Sequence, residues 1–153
     1  MVGSSDTTDP RDLDAAFTVG RLLAESGAVV ICGGLGGVME AACRGAASAG
    51  GTTVGLLPGR ERSDANRHVQ VAVPTGLGEA RNALVVAAAD AVVAVGGGYG
   101  TLSEIALALR AGKPVVGVGT WELARRGVAD SGIIAVCDPA DAVAAALDAS
   151  SAR

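Results

Sequence analysis

Ala91-Val92-Val93-Ala94-Val95-Gly96-Gly97-Gly98-Tyr99-Gly100-Thr101-Leu102-Ser103-Glu104 is the stretch on which the reading of this chain turns. Ala91 to Val95 is a short apolar run with three valines, the pattern of a parallel strand covered on both faces. Thr101 with Glu104 three residues on, followed by Ile105-Ala106-Leu107-Ala108-Leu109, reads as the start of a helix. Four glycines in five residues join the two. Glycine admits positive φ and leaves no Cβ in the way of a ligand. A helix N-terminus adds unpaired N–H groups and partial positive charge, so the stretch reads as a phosphate cradle at the C-terminal edge of a parallel sheet.

The same architecture repeats along the chain. Met1-Val2 running into Gly3-Ser4-Ser5-Asp6 is the end of a clipped strand. Asp9 caps and Pro10 opens a helix that closes at Gly27. Ala28–Cys32 is a strand, Gly33-Gly34-Leu35-Gly36-Gly37 a second glycine turn, Val38–Ala49 a helix and Thr52–Leu57 a strand. Val69–Val73 is a further strand, Glu79–Ala89 a helix, and the helix from Thr101 ends near Gly112. Val115–Val118 and Ile133–Val136 are strands, with a short helix or turn between them, and Asp138-Pro139 starts a last helix to about Ala149. Residues 150–153 are expected to fray. The expectation is one α/β domain over residues 1–149: a doubly wound, mostly parallel sheet of six or seven strands with helices on both faces.

Composition narrows the function. The chain has 153 residues, half of them hydrophobic, with one Trp, one Tyr and one Phe, and a net charge of −4. There is no basic face for nucleic acid and no aromatic series for single strands. Three cysteines without C-x-x-C spacing indicate neither a disulfide frame nor a metal site, and read as buried free thiols. No apolar run reaches the ~18 residues of a membrane span, and the polar, acidic start is not a signal peptide, so a cytoplasmic location is expected. The helices 38–49 and 79–89, rich in Ala and Val, form a candidate face for a homodimer or higher homo-oligomer.

Each candidate site residue carries two readings. The glycine loop lacks the Gly-Lys-Ser/Thr of a Walker loop, and Gly98-x-Gly100 with Ser103 only approaches the dinucleotide fingerprint. It is either a tight turn or a ligand cradle. Glu104 either completes a capping box with Thr101 or places a carboxylate beside the sugar of a bound ligand. Arg81, in the first turn of its helix where cations are disfavoured, is either solvated or meets an anion. Arg60, Arg62 and Arg67 form a solvated loop or a lid, and His68 reads as a surface residue. Trp121 either stacks a base or covers an apolar gap.

Together these residues resemble a known family. Gly97-Gly98-Tyr99-Gly100-Thr101-Leu102-Ser103-Glu104 is similar to the P-G-G-x-G-T-x-x-E motif of the LONELY GUY phosphoribohydrolases. Gly3-Ser4-Ser5 resembles that family's first nucleotide loop, and Gly33-Gly34-Leu35-Gly36-Gly37-Val38-Met39 its second. Arg81 sits where the family has an Arg-Lys pair. The resemblance implies a Rossmann-like fold, a homodimer, and cleavage of a nucleoside 5′-monophosphate to free base and ribose 5-phosphate, not lysine decarboxylation. It implies phosphate or ligand binding by Gly3, Ser4, Ser5, Gly33, Gly34, Gly36, Gly97, Gly98, Tyr99, Gly100 and Thr101, catalysis by Arg81 and Glu104, and no cofactor. Two positions depart from the motif: Gly96 replaces its proline and Asn82 its lysine. In these departures the chain looks like a sister branch of small nucleotide-binding proteins, which the molybdenum-cofactor carrier proteins also resemble. The expectations are therefore an N-glycosidic hydrolase or, alternatively, a carrier or sensor of a phosphate-bearing ligand.

Overall fold

A computed structural model describes residues 1–151. Nine strands and five α-helices follow in order: β1 (Val2–Gly3), α1 (Pro10–Glu25), β2 (Val30–Cys32), α2 (Val38–Ser48), β3 (Thr53–Leu57), β4 (Val71–Pro74), α3 (Asn82–Ala88), β5 (Val92–Val95), α4 (Tyr99–Arg110), β6 (Val115–Val118), β7 (Ala124–Arg125), β8 (Val128–Ala129), β9 (Ile133–Val136) and α5 (Pro139–Ser151).

The α/β fold is the expected one, but its strands form two parallel sheets rather than one. Four strands pair in the order β1-β5-β6-β9 and three in the order β2-β3-β4. The shortness of β1 accounts for the division. Only Val2 and Gly3 pair, with Ala94 and Val95 of β5, which leaves too little strand to form a ladder with β2. One bond spans the join: the Met1 ammonium donates to Ile31 O at 2.8 Å. The chain winds outward from β1 in both directions, so the crevice lies beyond the C-terminal ends of β1, β2 and β5.

Alternation along β5 accounts for the layers. Val93 and Val95 pack into a cluster with α1, α2 and α5, whereas Val92 and Ala94 pack with Val85 and Val86 of α3 and Ile105 and Ala108 of α4. All four β5 residues are buried. Each fully buried valine contributes on the order of 1.5–3 kcal/mol. The sheet edge differs: Val71 and Val73 of β4 are exposed.

Several local expectations change. The segment between β6 and β9, where a short helix or turn is expected, holds a hairpin turn between two-residue strands, β7 paired antiparallel with β8. Its turn places Arg126 and Gly127 at φ 54° and 78°, the mirror-image turn that suits strand twist. The helix expected from Glu79 opens as a 3₁₀ turn, Gly78–Arg81, and turns α-helical only at Asn82. Helix α5 extends to Ser151, past the expected end near Ala149, while residues 152 and 153 lie outside the described residues. Helix α2 is no free face, because Ala41, Ala42, Cys43, Gly45 and Ala46 are buried within the chain. Among the described residues no helix is long and apolar enough to cross a membrane.

Candidate functional site

Three loops meet in the crevice. Gly3 to Asp6 after β1, Leu35 after β2 and Gly98 to Thr101 after β5 line one cavity of about 500 Å³, together with Arg81, Asn82 and Glu104. Gly98 to Gly100 and the loop after β1 therefore lie on the same sheet edge.

Helix α4 supplies the anion-facing part. It starts at Tyr99, two residues earlier than expected, with Gly98 as its cap and no side-chain cap bond. The N–H groups of Tyr99, Gly100 and Thr101 have no partner within the helix, whereas Leu102 N already donates to Gly98 O at 3.0 Å. By contrast Asp9 caps α1 with its side chain, and Ser4 O receives Val38 N at the head of α2 at 3.0 Å. A Cβ added to Gly98 or Gly100 would meet nothing within 4 Å, so both open onto free space. Below them Thr101 Oγ1 is buried without a hydrogen-bond partner.

This start overturns the capping box. Thr101 lies inside α4, so Glu104 cannot reach back to a cap at that position. Instead Glu104 is buried with Arg81, whose Nη1 stands 3.6 Å from Glu104 Oε1. Burial pushes the Glu104 carboxyl up to about 7, against the downward pull of Arg81. The solvated reading of Arg81 also fails. Its Nη1 donates to Asn82 Oδ1 at 2.6 Å, and its Nε is buried without a partner. Asn82, in place of the motif's lysine, relays onward: Asn82 Nδ2 donates to Ser103 Oγ at 3.0 Å and Ser103 Oγ to Gly100 O at 2.8 Å. This network ties the start of α3 to the mouth of α4.

The other expected residues divide. Gly3, Ser4, Ser5, Tyr99 and Thr101 line the cavity. Gly33 does not; a Cβ there would sit 2.4 Å from Arg81 Nη2, so its role is to seat the guanidinium. Gly34 packs on Gly55 and Leu57, and Gly36 on Ser5 O. Gly97 faces a second cavity of about 1020 Å³, on the other side of the turn, lined also by Asp12, Thr120 and Trp121. There the departure at Gly96 finds its cause. Its φ is 51°, which proline cannot adopt, and a Cβ would lie 2.2 Å from the Asp12 carboxylate.

The arginines of the polar loop line neither cavity. Arg62 Nη1 donates to Ala72 O at 2.9 Å, Arg67 Nε to His68 Nε2 at 3.3 Å, and neither Arg60 nor His68 lines either cavity. Trp121 is held at the loop, its Nε1 donating to Gly98 O at 3.2 Å with the Tyr99 ring 5.6 Å away. Of the thiols, Cys32 and Cys43 are buried with Sγ atoms 3.5 Å apart, but Cys137 is exposed, contrary to expectation. The hydrogen bond from Cys43 holds the Cys32 thiol below its ordinary range. Among the described residues no group of three or more His, Cys, Asp or Glu is placed to hold a metal.

Known proteins are similar to this chain in sequence and overall structure. A molybdenum cofactor binding protein from Rippkaea orientalis superposes with a TM-score of 0.84 at 35% identity, over 93% of this chain and 90% of that one. The Moco carrier protein of Chlamydomonas reinhardtii gives 0.82 at 34% identity, over 99% and 94%. DNA processing protein A from Helicobacter pylori, at 22% identity and a TM-score of 0.68, shares the fold. A protein of Archaeoglobus fulgidus is 50% identical over 115 residues, 75% of either chain. The SLOG cluster4 family matches residues 1–143, and the chain belongs to that family.

Proposed function

We propose that this chain binds a phosphate-bearing, nucleotide-like small molecule at the mouth of α4 and holds it as a carrier or sensor, with molybdenum cofactor as the candidate cargo. One observation carries the reading: Gly98 and Gly100 open the unpaired N–H groups of α4 to the cavity above a buried Thr101 hydroxyl that has no partner. A phosphate there would satisfy donors that the fold leaves open. The likeness to the two molybdenum-cofactor proteins supports the cargo.

Charge argues against cleaving. Asn82 removes a cation, so among the described residues Arg81 is the only basic side chain lining the cavity, against Asp6, Glu79 and Glu104. A Glu104 carboxyl titrating near neutrality is a weak counter-charge for an oxocarbenium-like centre, though it spares the phosphate a full repulsion. The second reading, hydrolysis of the N-glycosidic bond of a nucleoside 5′-monophosphate, rests on the buried Arg81–Glu104 pair in the same cavity. Incubation with adenosine and guanosine 5′-monophosphates, with free base assayed, separates the two. Binding without release of base is expected. Release that disappears in Glu104→Gln would establish the hydrolase instead.

The same reading includes self-association. Val71, Val73, Leu77 and Leu84 are exposed apolar side chains on β4, the turn after it and α3. A second copy covering them makes a homodimer or larger homo-oligomer. Light scattering at micromolar concentration is expected to give a multiple of the chain mass, and a monomeric mass would overturn this.

A further inference from the structure

Two of the chain's three aromatic residues stand together at the lip of the site. The Tyr99 and Trp121 rings lie 5.6 Å apart at an interplanar angle of 36°. The indole is fixed by its bond to Gly98 O, while Tyr99 keeps 82% of its surface exposed. Tyr99 lines the smaller cavity and Trp121 the larger, with the 96–98 turn between them. An exposed phenol backed by an anchored indole offers one free flat face directly beside the N–H groups of α4.

We propose that Tyr99, supported by Trp121, is the stacking platform for a planar heteroaromatic ring on the phosphorylated ligand, and that it sets a preference for ring-bearing monophosphates over sugar phosphates. The proposal rests on the phosphate reading of α4. Phosphate and ring would then be held by successive residues of one helical turn. The carboxylates around the two cavities, Asp6 and Glu79 on one side and Asp12 and Glu122 on the other, supply acceptors for ring N–H groups. They also oppose a run of phosphates, which favours a single mononucleotide-like ligand over a nucleic-acid strand.

Trp121 is the chain's only tryptophan, so its emission reports on the platform. The probes are guanosine 5′-monophosphate, guanosine and ribose 5-phosphate, titrated by fluorescence and calorimetry into the native protein, Tyr99→Ala and Tyr99→Phe. The expected result is quenching by the monophosphate and roughly tenfold tighter binding than ribose 5-phosphate, the size of one base–aromatic stack. Tyr99→Ala should abolish that preference and Tyr99→Phe should restore it. Equal binding of monophosphate and ribose 5-phosphate, or a preference that survives Tyr99→Ala, would overturn the platform and leave the phosphate site standing. Tyr99-dependent binding of guanosine without binding of ribose 5-phosphate would uphold the platform and overturn the phosphate site. Absence of binding by all three probes would overturn both.

Discussion

Arg81 and Glu104 meet inside the protein, Nη1 to Oε1 at 3.6 Å, with 9% and 8% of their side-chain surfaces exposed. The pair is too long for a hydrogen bond and is shared, because the same Nη1 donates to Asn82. Desolvation therefore outweighs the attraction of Arg81 in setting the Glu104 carboxyl near 7.

Stability should follow that titration. A carboxyl raised from 4.5 to about 7 binds its proton more tightly in the folded state. Its contribution is complete below pH 4.5 and is lost as pH rises through about 7, a loss on the order of 3 kcal/mol. The urea midpoint of the native chain is expected to fall between pH 5 and pH 8. Glu104→Gln, which mimics the protonated form, should flatten that decline. An equal decline in the variant would place the titration elsewhere.

The fold was legible because its signals are local and repeated. Val92 to Val95 announces a doubly covered strand through composition alone, and Asp9-Pro10 announces a helix start through capping chemistry. Glu104 was legible as a candidate site residue, but its contact with Arg81 was not. The capping-box pattern at 101–104 is satisfied in sequence, yet α4 starts earlier because Tyr99-Gly100 can already turn helical behind an open Gly98. The Arg81–Glu104 pair depends on residues 23 apart, and no spacing rule joins them. The split sheet depended on β1 pairing through only two residues. The hairpin turn at Arg126-Gly127 lacks the Asn-Gly or Asp-Gly that marks such turns, and Arg126 is the one non-glycine residue with positive φ among the described residues.

Gly96 tests the departure from the LONELY GUY motif directly. At φ 51° proline cannot be placed, and its missing N–H would also remove the bond from Gly96 N to Val118 O at 3.0 Å. Gly96→Pro is expected to cost more than about 3 kcal/mol, measured by chemical denaturation. Adding Asp12→Ala should not rescue it, since the backbone and not the carboxylate is limiting. A stable Gly96→Pro protein would mean that this turn can rearrange.

Thiol reactivity should divide one against two. Cys137 is exposed, whereas Cys32 and Cys43 are buried beside one another. One thiol per chain is expected to react promptly with a water-soluble disulfide reagent under native conditions, and three after denaturation. The lowered Cys32 thiol does not change this, because a thiolate that the reagent cannot reach stays inert. Prompt reaction of more than one thiol would show that the floor beneath Gly33 and Gly34 opens.

Neighbouring glycines of the α4 turn should part stability from binding. Gly97 has φ 109°, and a Cβ there would lie 2.5 Å from Thr101 Oγ1. Gly97→Ala is therefore expected to destabilise by about 1–3 kcal/mol from backbone strain alone. Gly100 lies in the first turn of α4 with open space beside it. Gly100→Ala should leave the fold intact or strengthen it by about 0.5–1 kcal/mol, as alanine does in place of glycine within a helix. That methyl group would nevertheless stand on the face where the N–H groups of α4 are unpaired. Phosphate-bearing ligands should bind Gly100→Ala severalfold more weakly than the native protein, by calorimetry, while its denaturation midpoint does not fall. A Gly100→Ala protein with native affinity would remove the mouth of α4 from the binding site, and Gly97 would then be left with the structural role alone.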